Sequence, residues 1–291
     1  MRLLVFGGWG QLGSELAEAA PGHELARPTH AEADVTDADA VLAAARAHEP
    51  DVLIDAAAFH QVERCEREPE TAFGVNALGA INVARAAGEV GARAVYVSTD
   101  YVFDGTKGEG YAEDDRTNPV NLYGLSKEAG ERAVRLSCPD HLIVRLSGVF
   151  GHAGSSGKGG NFVETILSKA ESGEALSVVD DQRLAPTAAA DAAARLLRLL
   201  ETGAPPGTYH LVNRGSCSWF EFARAVLEVA GLAADLSPRS TSPDGVARPA
   251  FSVLADTRTG SLGLPPARPW REALGWYLSE RDAARLRRSL R

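Results

Sequence analysis

Short apolar runs alternate with amphipathic helical stretches along the first half of the chain. Residues 3–6 (LLVF), 51–55 (DVLID), 94–98 (AVYVS) and 142–147 (LIVRLS) read as buried strands. Helical periodicity starts near Gln11 and recurs over 37–48 and 69–90, and the Ala-rich 77–92 stretch closes on glycine as a helix stop does. Strands apolar on both faces, joined by helices of this length, predict a doubly wound parallel α/β sheet. Past residue 150 the regularity changes. The pattern predicts helices over 161–172 and 188–202, strands over 176–179 and 209–212, and an amphipathic helix opened by a Ser218–Glu221 capping box. Residues 151–160 hold five glycines and predict a mobile loop, while 237–249 hold three prolines and no helical period and predict a loop, either functional or simply a connection. The expected division is a sheet domain over 1–150, to which 188–204 returns, and a smaller C-terminal α/β substrate-binding domain, mainly 151–291.

Composition narrows the class. A net charge of −9 argues against a nucleic-acid partner. The last eleven residues run the other way, five arginines against Asp282, as a solvated helix end does. No stretch reaches a membrane span, and the N-terminal apolar run is too brief for a signal peptide. Cys65, Cys138 and Cys217 are odd in number and widely spaced, which fits a reducing cytosol and no metal motif. A soluble, cytoplasmic protein is expected. The 30 basic residues divide into 26 Arg and 4 Lys, so each lysine draws attention.

Three constellations carry chemistry. Gly7, Gly10 and Gly13 follow the first strand and open a helix, the setting in which glycines admit a pyrophosphate to a helix N-terminus. This makes the sheet domain Rossmann-type and the cofactor a dinucleotide. A second strand ends near HELARPTH (23–30), and it carries Arg27, Thr29 and His30 where an acid would select NAD(H), so NADP(H) is favoured over NAD(H). Asp34 and Val35 flank the adenine, or Asp34 caps the next helix. Tyr123 and Lys127, four apart, share one helix face. A phenol titrates at about 10, and a neighbouring ammonium draws it toward the working range. Ser98 and Thr99 end the fourth strand, where hydroxyls point into an α/β cleft and can hold a carbonyl oxygen. Together these residues point to hydride transfer between a nicotinamide and a ketone or alcohol.

These residues resemble the extended short-chain dehydrogenase/reductases. More closely, nearly the whole chain resembles the dTDP-4-dehydrorhamnose reductase family, through STDYVFDG (98–105), PVNLYGLSK (119–127), GNFVETIL (160–167), DDQRLAPT (180–187) and RPAFSVL (248–254). The resemblance implies NAD(P)H-dependent reduction of the 4-keto group of a dTDP-4-dehydro-6-deoxyhexose. It implies Thr99 as carbonyl-binding hydroxyl, Tyr123 as proton donor and Lys127 as the residue holding the nicotinamide ribose. Gln11 and Leu12 then meet the phosphates, and Ala56, Ala57 and Ala58 line the cofactor. Asp100, Asn161, Gln182 and Arg248 are the implied nucleotide-sugar ligands. The chain departs from the family pattern at Gly148, usually Trp, at Leu184, usually Gly, and at His60 and Glu63, usually Thr and Asp. These changes put the sugar, not the hydride machinery, in question, and a related dTDP-4-keto-6-deoxysugar is the competing substrate. Some relatives use Mg²⁺ at a subunit contact, and the resemblance leaves room for a homodimer, but no compact carboxylate cluster commits this chain to the metal. The competing class is a non-catalytic cofactor-binding subunit like that of methionine adenosyltransferase. An epimerase or dehydratase is disfavoured, because Thr99 is followed by Asp100-Tyr101 and not by an acidic pair.

Overall fold

A computed structural model of the chain describes residues 1–153 and 160–289. Leu3, Leu4, Val5 and Phe6 of β1 (Arg2–Phe6) are all buried, so this strand runs through the middle of the fold with apolar residues on both faces. It belongs to a parallel six-stranded sheet with β2 (Glu24–Ala26), β3 (Val52–Asp55), β4 (Arg93–Thr99), β5 (His141–Leu146) and β10 (Gly207–His210). The order is β2–β1–β3–β4–β5–β10. The chain leaves β1 for β2 on one side and returns to β3 on the other, so a crevice lies beyond the carboxyl ends of β1 and β3.

Helices cover both faces. On one, α1 (Gln11–Ala19) and α8 (Ala189–Glu201) pack Leu16, Leu196 and Leu199 against Leu3, Val5 and Val144. On the other, α2 (Ala38–His48), α5 (Ala80–Val90) and α6 (Leu122–Ser137) bury Val41, Ala84 and Val134 against Leu4, Phe6 and Tyr96. The helix expected over 69–90 is present and runs without interruption, with one change of helical type. It comprises α4 (Pro69–Phe73), preceded by α3 (Val62–Arg67), then a π-helical turn over Gly74–Gly79, then α5. The turn carries buried Asn76, whose carbonyl accepts from the Tyr96 hydroxyl at 2.6 Å and whose amide bonds Phe59 and Ser126. A π turn frees carbonyls from the regular helix ladder for such partners.

A third core lies beside the sheet. Here α7 (Phe162–Glu171), α9 (Trp219–Ala230) and α10 (Trp270–Ser289) enclose Phe150, Ile166, Phe222, Val226 and Tyr277. Both bonds of the Ser218–Glu221 capping box are present at the start of α9. Short pairings join the parts: β6 (Val149–Phe150) with β9 (Thr187–Ala188), and β8 (Arg183–Leu184) with β11 (Cys217–Ser218). The loop expected over 237–249 instead begins as a strand, because β12 (Leu236–Arg239) pairs with β7 (Leu176–Val179). A two-stranded ribbon tolerates Pro238, whose missing N–H need face no second neighbour. The strand expected over 209–212 sits two residues earlier, as β10. For 154–159 the expected loop falls outside the described residues, as do the side chains of the basic end past Arg281, which itself pairs with Glu164 at 2.8 Å. Among the described residues, no helix is long and apolar enough to cross a membrane.

Candidate active site

A cleft of about 670 Å³ opens at the crevice. The glycine loop forms one wall with Gly7, Gly10, Gln11 and Leu12, and Ala56, Ala57 and Ala58 form another. Gly7 has φ +71°, and a Cβ there would lie 2.5 Å from the Ala56 carbonyl carbon; one on Gly13 would lie 2.4 Å from Gly8 Cα. The tight turn and the close helix contact therefore both need glycine. Gly10 is the N-cap of α1, with no side-chain cap bond and no acid in the first turn. Uncapped N–H groups and the positive end of the helix dipole thus meet the cleft beside Gln11 and Leu12, ready for an anion.

Asp34, Val35 and His30 line the far end of this cleft. Asp34 Oδ1 accepts from Thr36 N at 2.9 Å, while Asp37 caps α2, so Asp34 is not the helix cap. Arg27 lies over the glycine loop. Its guanidinium is 4.2 Å from the Trp9 ring centroid and donates to the Gly8 carbonyl at 3.3 Å, and the Trp9 indole returns a bond to the Arg27 carbonyl. Trp9 was not singled out by motif, because only its neighbours belong to the glycine pattern.

Thr99, Tyr123 and Lys127 meet in the same cleft. Asn121 caps α6 by accepting from Gly124 N at 2.8 Å, which brings Tyr123 into the first turn. A Cβ on Gly124 would lie 2.1 Å from the Tyr101 carbonyl oxygen, so glycine lets α6 close on the end of β4. The Tyr123 and Tyr101 rings meet edge to face at 5.8 Å. Burial pushes the Tyr123 phenol above its ordinary range, and a side-chain bond with Thr99 works against that. The lowering expected from the ammonium four residues on is not what governs this phenol here: desolvation dominates and the phenol stays protonated. Lys127 is 1% exposed, with Nζ 4.0 Å over the Tyr96 ring, and Nζ has no hydrogen-bond partner among the described residues. Burial lowers its pKa to about 8, against the pull of Asp55 and Glu131. Gln11 Oε1 is likewise buried and unpartnered. Orphaned polar atoms are rare unless a ligand completes them. These two, with the uncapped α1, fit the ribose and phosphates of a dinucleotide.

Not every expected residue is available to a ligand. Ser98 Oγ donates to Glu131 at 2.6 Å within a buried network that includes Arg145, whereas Thr99 Oγ1 donates to Asp100 Oδ1 at 3.1 Å and accepts from Tyr101 N at 3.2 Å. Of the pair only Thr99 stands clear of that network, and its proton must leave Asp100 to meet a substrate. Strand alternation explains this, since adjacent residues face opposite ways. The Asp100 carboxylate accepts from Ser147 at 2.9 Å and Ser252 at 2.5 Å, tying β4 to two other segments, and burial raises it to about 6.

A second cleft of about 660 Å³ joins the first through Gln11, His60, Gly148, Val149, Trp219 and Arg248, which line both. Asn161, Gln182 and Arg248 line it as expected. Asn161 is also the N-cap of α7 and donates to the Gly151 carbonyl and the Tyr277 hydroxyl. Gln182 donates to Thr241 at 2.8 Å. Arg248 donates to the Tyr101 hydroxyl at 3.0 Å and pairs with Glu63. The same walls hold Phe162, Trp219, Lys169 and Arg239, which no local motif marked. Flat aromatics with cations suit a ligand that carries a planar ring and anionic groups. Among the described residues, no group of three or more His, Cys, Asp or Glu is arranged to hold a metal ion.

Gly148 and Leu184, two of the four departures, face each other. Gly148 has φ +50°, and a Cβ there would lie 2.4 Å from Leu184 Cδ1. Buried Leu184 thus fills the space a side chain at 148 would claim.

A family model described as RmlD substrate binding domain matches residues 1–282. The chain is 40% identical over 287 residues to the spore coat polysaccharide biosynthesis protein SpsK of Bacillus subtilis, covering 97% of this chain and 99% of that protein. It is also 40% identical over 283 residues to dTDP-4-dehydrorhamnose reductase of Mycolicibacterium smegmatis, covering 94% of this chain and 84% of that one. Among solved structures it resembles dTDP-4-dehydrorhamnose reductase of Bacillus anthracis in complex with NADP. The TM-score is 0.89 at 36% identity, over 96% of this chain and 98% of that one.

Proposed function

Because the chain belongs to the dTDP-4-dehydrorhamnose reductase family, we propose that it reduces the 4-keto group of a dTDP-4-dehydro-6-deoxyhexose with NADPH, dTDP-4-dehydro-L-rhamnose first among them. The observation that carries this reading is the buried, unpartnered Lys127 ammonium in one cleft with Thr99 and Tyr123, joined to a second cleft lined by aromatics and cations. When bound, the reduced nicotinamide supplies the hydride.

This chain's residues do the rest. Lys127 holds the nicotinamide ribose hydroxyls with its free donors. Thr99, its O–H turned from Asp100, and Tyr123 aim two O–H groups at the ketone oxygen, so their bonds strengthen as negative charge develops there. Tyr123, kept protonated by burial, gives its proton to that oxygen, and the Lys127 charge stabilises the phenolate left behind. Arg27, already over the glycine loop, meets the adenosine 2′-phosphate and favours NADPH over NADH. Arg248 turns from Glu63 toward the diphosphate, while Trp219 and Phe162 enclose the nucleotide. In this reading residues 1–150 with 188–204 hold the cofactor, and 151–291 mainly hold the nucleotide-sugar.

The test is absorbance-monitored NADPH oxidation with dTDP-4-dehydro-L-rhamnose and its stereoisomers. Turnover is expected with at least one, and Tyr123→Phe should lower kcat by about 10²–10⁴-fold. Tight NADPH binding without oxidation by any of them would replace the enzyme with a cofactor-binding regulatory subunit. Turnover of a stereoisomer alone would keep the reaction and change the sugar, with Gly148 and Leu184 as the residues responsible.

A further inference from the structure

Among the described residues, two buried polar atoms on one face of the sheet lack hydrogen-bond partners: Lys127 Nζ and Asp55 Oδ2. Asp55 ends β3 and is the cross-strand partner of Tyr96 on β4. Side chains at paired positions of a parallel sheet point to the same face, and Lys127 Nζ sits 4.0 Å over the Tyr96 ring on that face. The carboxylate and the ammonium therefore flank one aromatic ring. Asp55 is 2% exposed, and among the described residues its carboxylate accepts one hydrogen bond, from Ala57 N to Oδ1 at 3.1 Å. A buried carboxylate is costly unless a charge or donors compensate it.

The other groups facing Lys127 are already committed. On α6, Glu131 accepts from Arg145 and Ser98 and also pairs with Arg135. The Tyr96 hydroxyl donates to Asn76, and Tyr123 is protonated. Resting on the reductase reading, we propose that Asp55 is a positioning residue for the reaction: its carboxylate is the counterion that keeps Lys127 an ammonium in its buried seat, so that the donors stay available to the cofactor ribose. Mutual influence supports this. Burial raises Asp55 to about 6, and the Lys127 charge works against the rise. Burial lowers Lys127 to about 8, and Asp55 is the larger of the two carboxylate influences opposing it.

The chain has only four lysines, so ¹³Cε-lysine NMR of the whole protein resolves Lys127, assigned by Lys127→Met. In Asp55→Asn, the Lys127 titration should fall by about 1–3 pH units. The alkaline limb of kcat/KM should move the same way, which loss of packing alone would not cause. An unchanged Lys127 titration in Asp55→Asn overturns the proposal. Should that variant fail to fold, the wild-type Lys127 signal should carry a second inflection near pH 6 from Asp55, and its absence is equally decisive. The titration needs neither substrate nor turnover, so its outcome is separate from that of the Tyr123→Phe assay.

Discussion

Single side chains carry most of the chemistry, and two pairs of them set its limits. The Gly148–Leu184 contact is a packing trade. Substituting Gly148→Ala adds a methyl at positive φ and drives it into Leu184, so it should cost about 1–3 kcal/mol of stability. In a Leu184→Ala background the steric part should vanish, leaving only the backbone strain. Thermal unfolding of the four-member cycle measures this, and strictly additive costs would refute the contact. The Arg27–Trp9 pair bears on the cofactor. A charge-assisted bond to phosphate is worth roughly 1.5–3 kcal/mol, so Arg27→Ala should weaken NADPH binding about tenfold or more. NADH binding should barely change, and equal losses in fluorescence titrations would remove Arg27 from cofactor selection.

At the scale of elements, local chemistry was largely legible. The capping box of Ser218 and Glu221 is a contiguous signal, and both of its bonds form. Ser218→Ala should therefore cost about 1 kcal/mol and lower the melting temperature. Because α9 presents Trp219 to both clefts, the same change should raise KM for the nucleotide-sugar; an unaltered KM would uncouple the cap from the site. Two element-level features have non-local causes. The 69–90 helix widens to a π turn at Gly74–Gly79, where Asn76 bonds Tyr96, Phe59 and Ser126, all distant in sequence. The Pro-containing segment at 236–239 becomes a strand because β7 is there to receive it, and no window of local residues contains that partner.

Across the whole molecule, a buried network welds the last strand of the sheet to the returning C-terminal segment. His210 of β10 donates through Nδ1 to the Ala255 carbonyl at 2.9 Å and receives Arg145 at 3.4 Å. Glu113 accepts from Thr257 and from His210 N. Burial lowers the His210 imidazole to about 4, from an ordinary 6.5. On acidification the unfolded chain then takes up the proton first, so stability falls between pH 6.5 and about 4, by on the order of 2–3 kcal/mol. Asp55 and Asp100, raised to about 6, act in the opposite sense over part of that window. The variant therefore isolates the effect: His210→Asn should lose less stability than wild type between pH 7 and 4.5 in urea unfolding. Equal losses would exclude His210 as an acid-sensitive group.

The sequence alone determined what depends on near neighbours. Strand and helix periods, the glycine loop, the i, i+4 pairing of Tyr123 with Lys127 and the helix caps are all written in residues a few positions apart, and short-range sterics and hydrogen bonding read them directly. The tertiary structure decided which of those residues remain free to act. Ser98 is taken up by Glu131, and Asp100 by Ser147 and Ser252, while Lys127 and Asp55 keep unpartnered atoms. It also brought Trp219 and Arg248 to the junction of the clefts and set Leu184 against Gly148. Those outcomes rest on contacts between segments far apart in the chain, where burial sets the cost of every unpaired charge, and no local pattern encodes that burial.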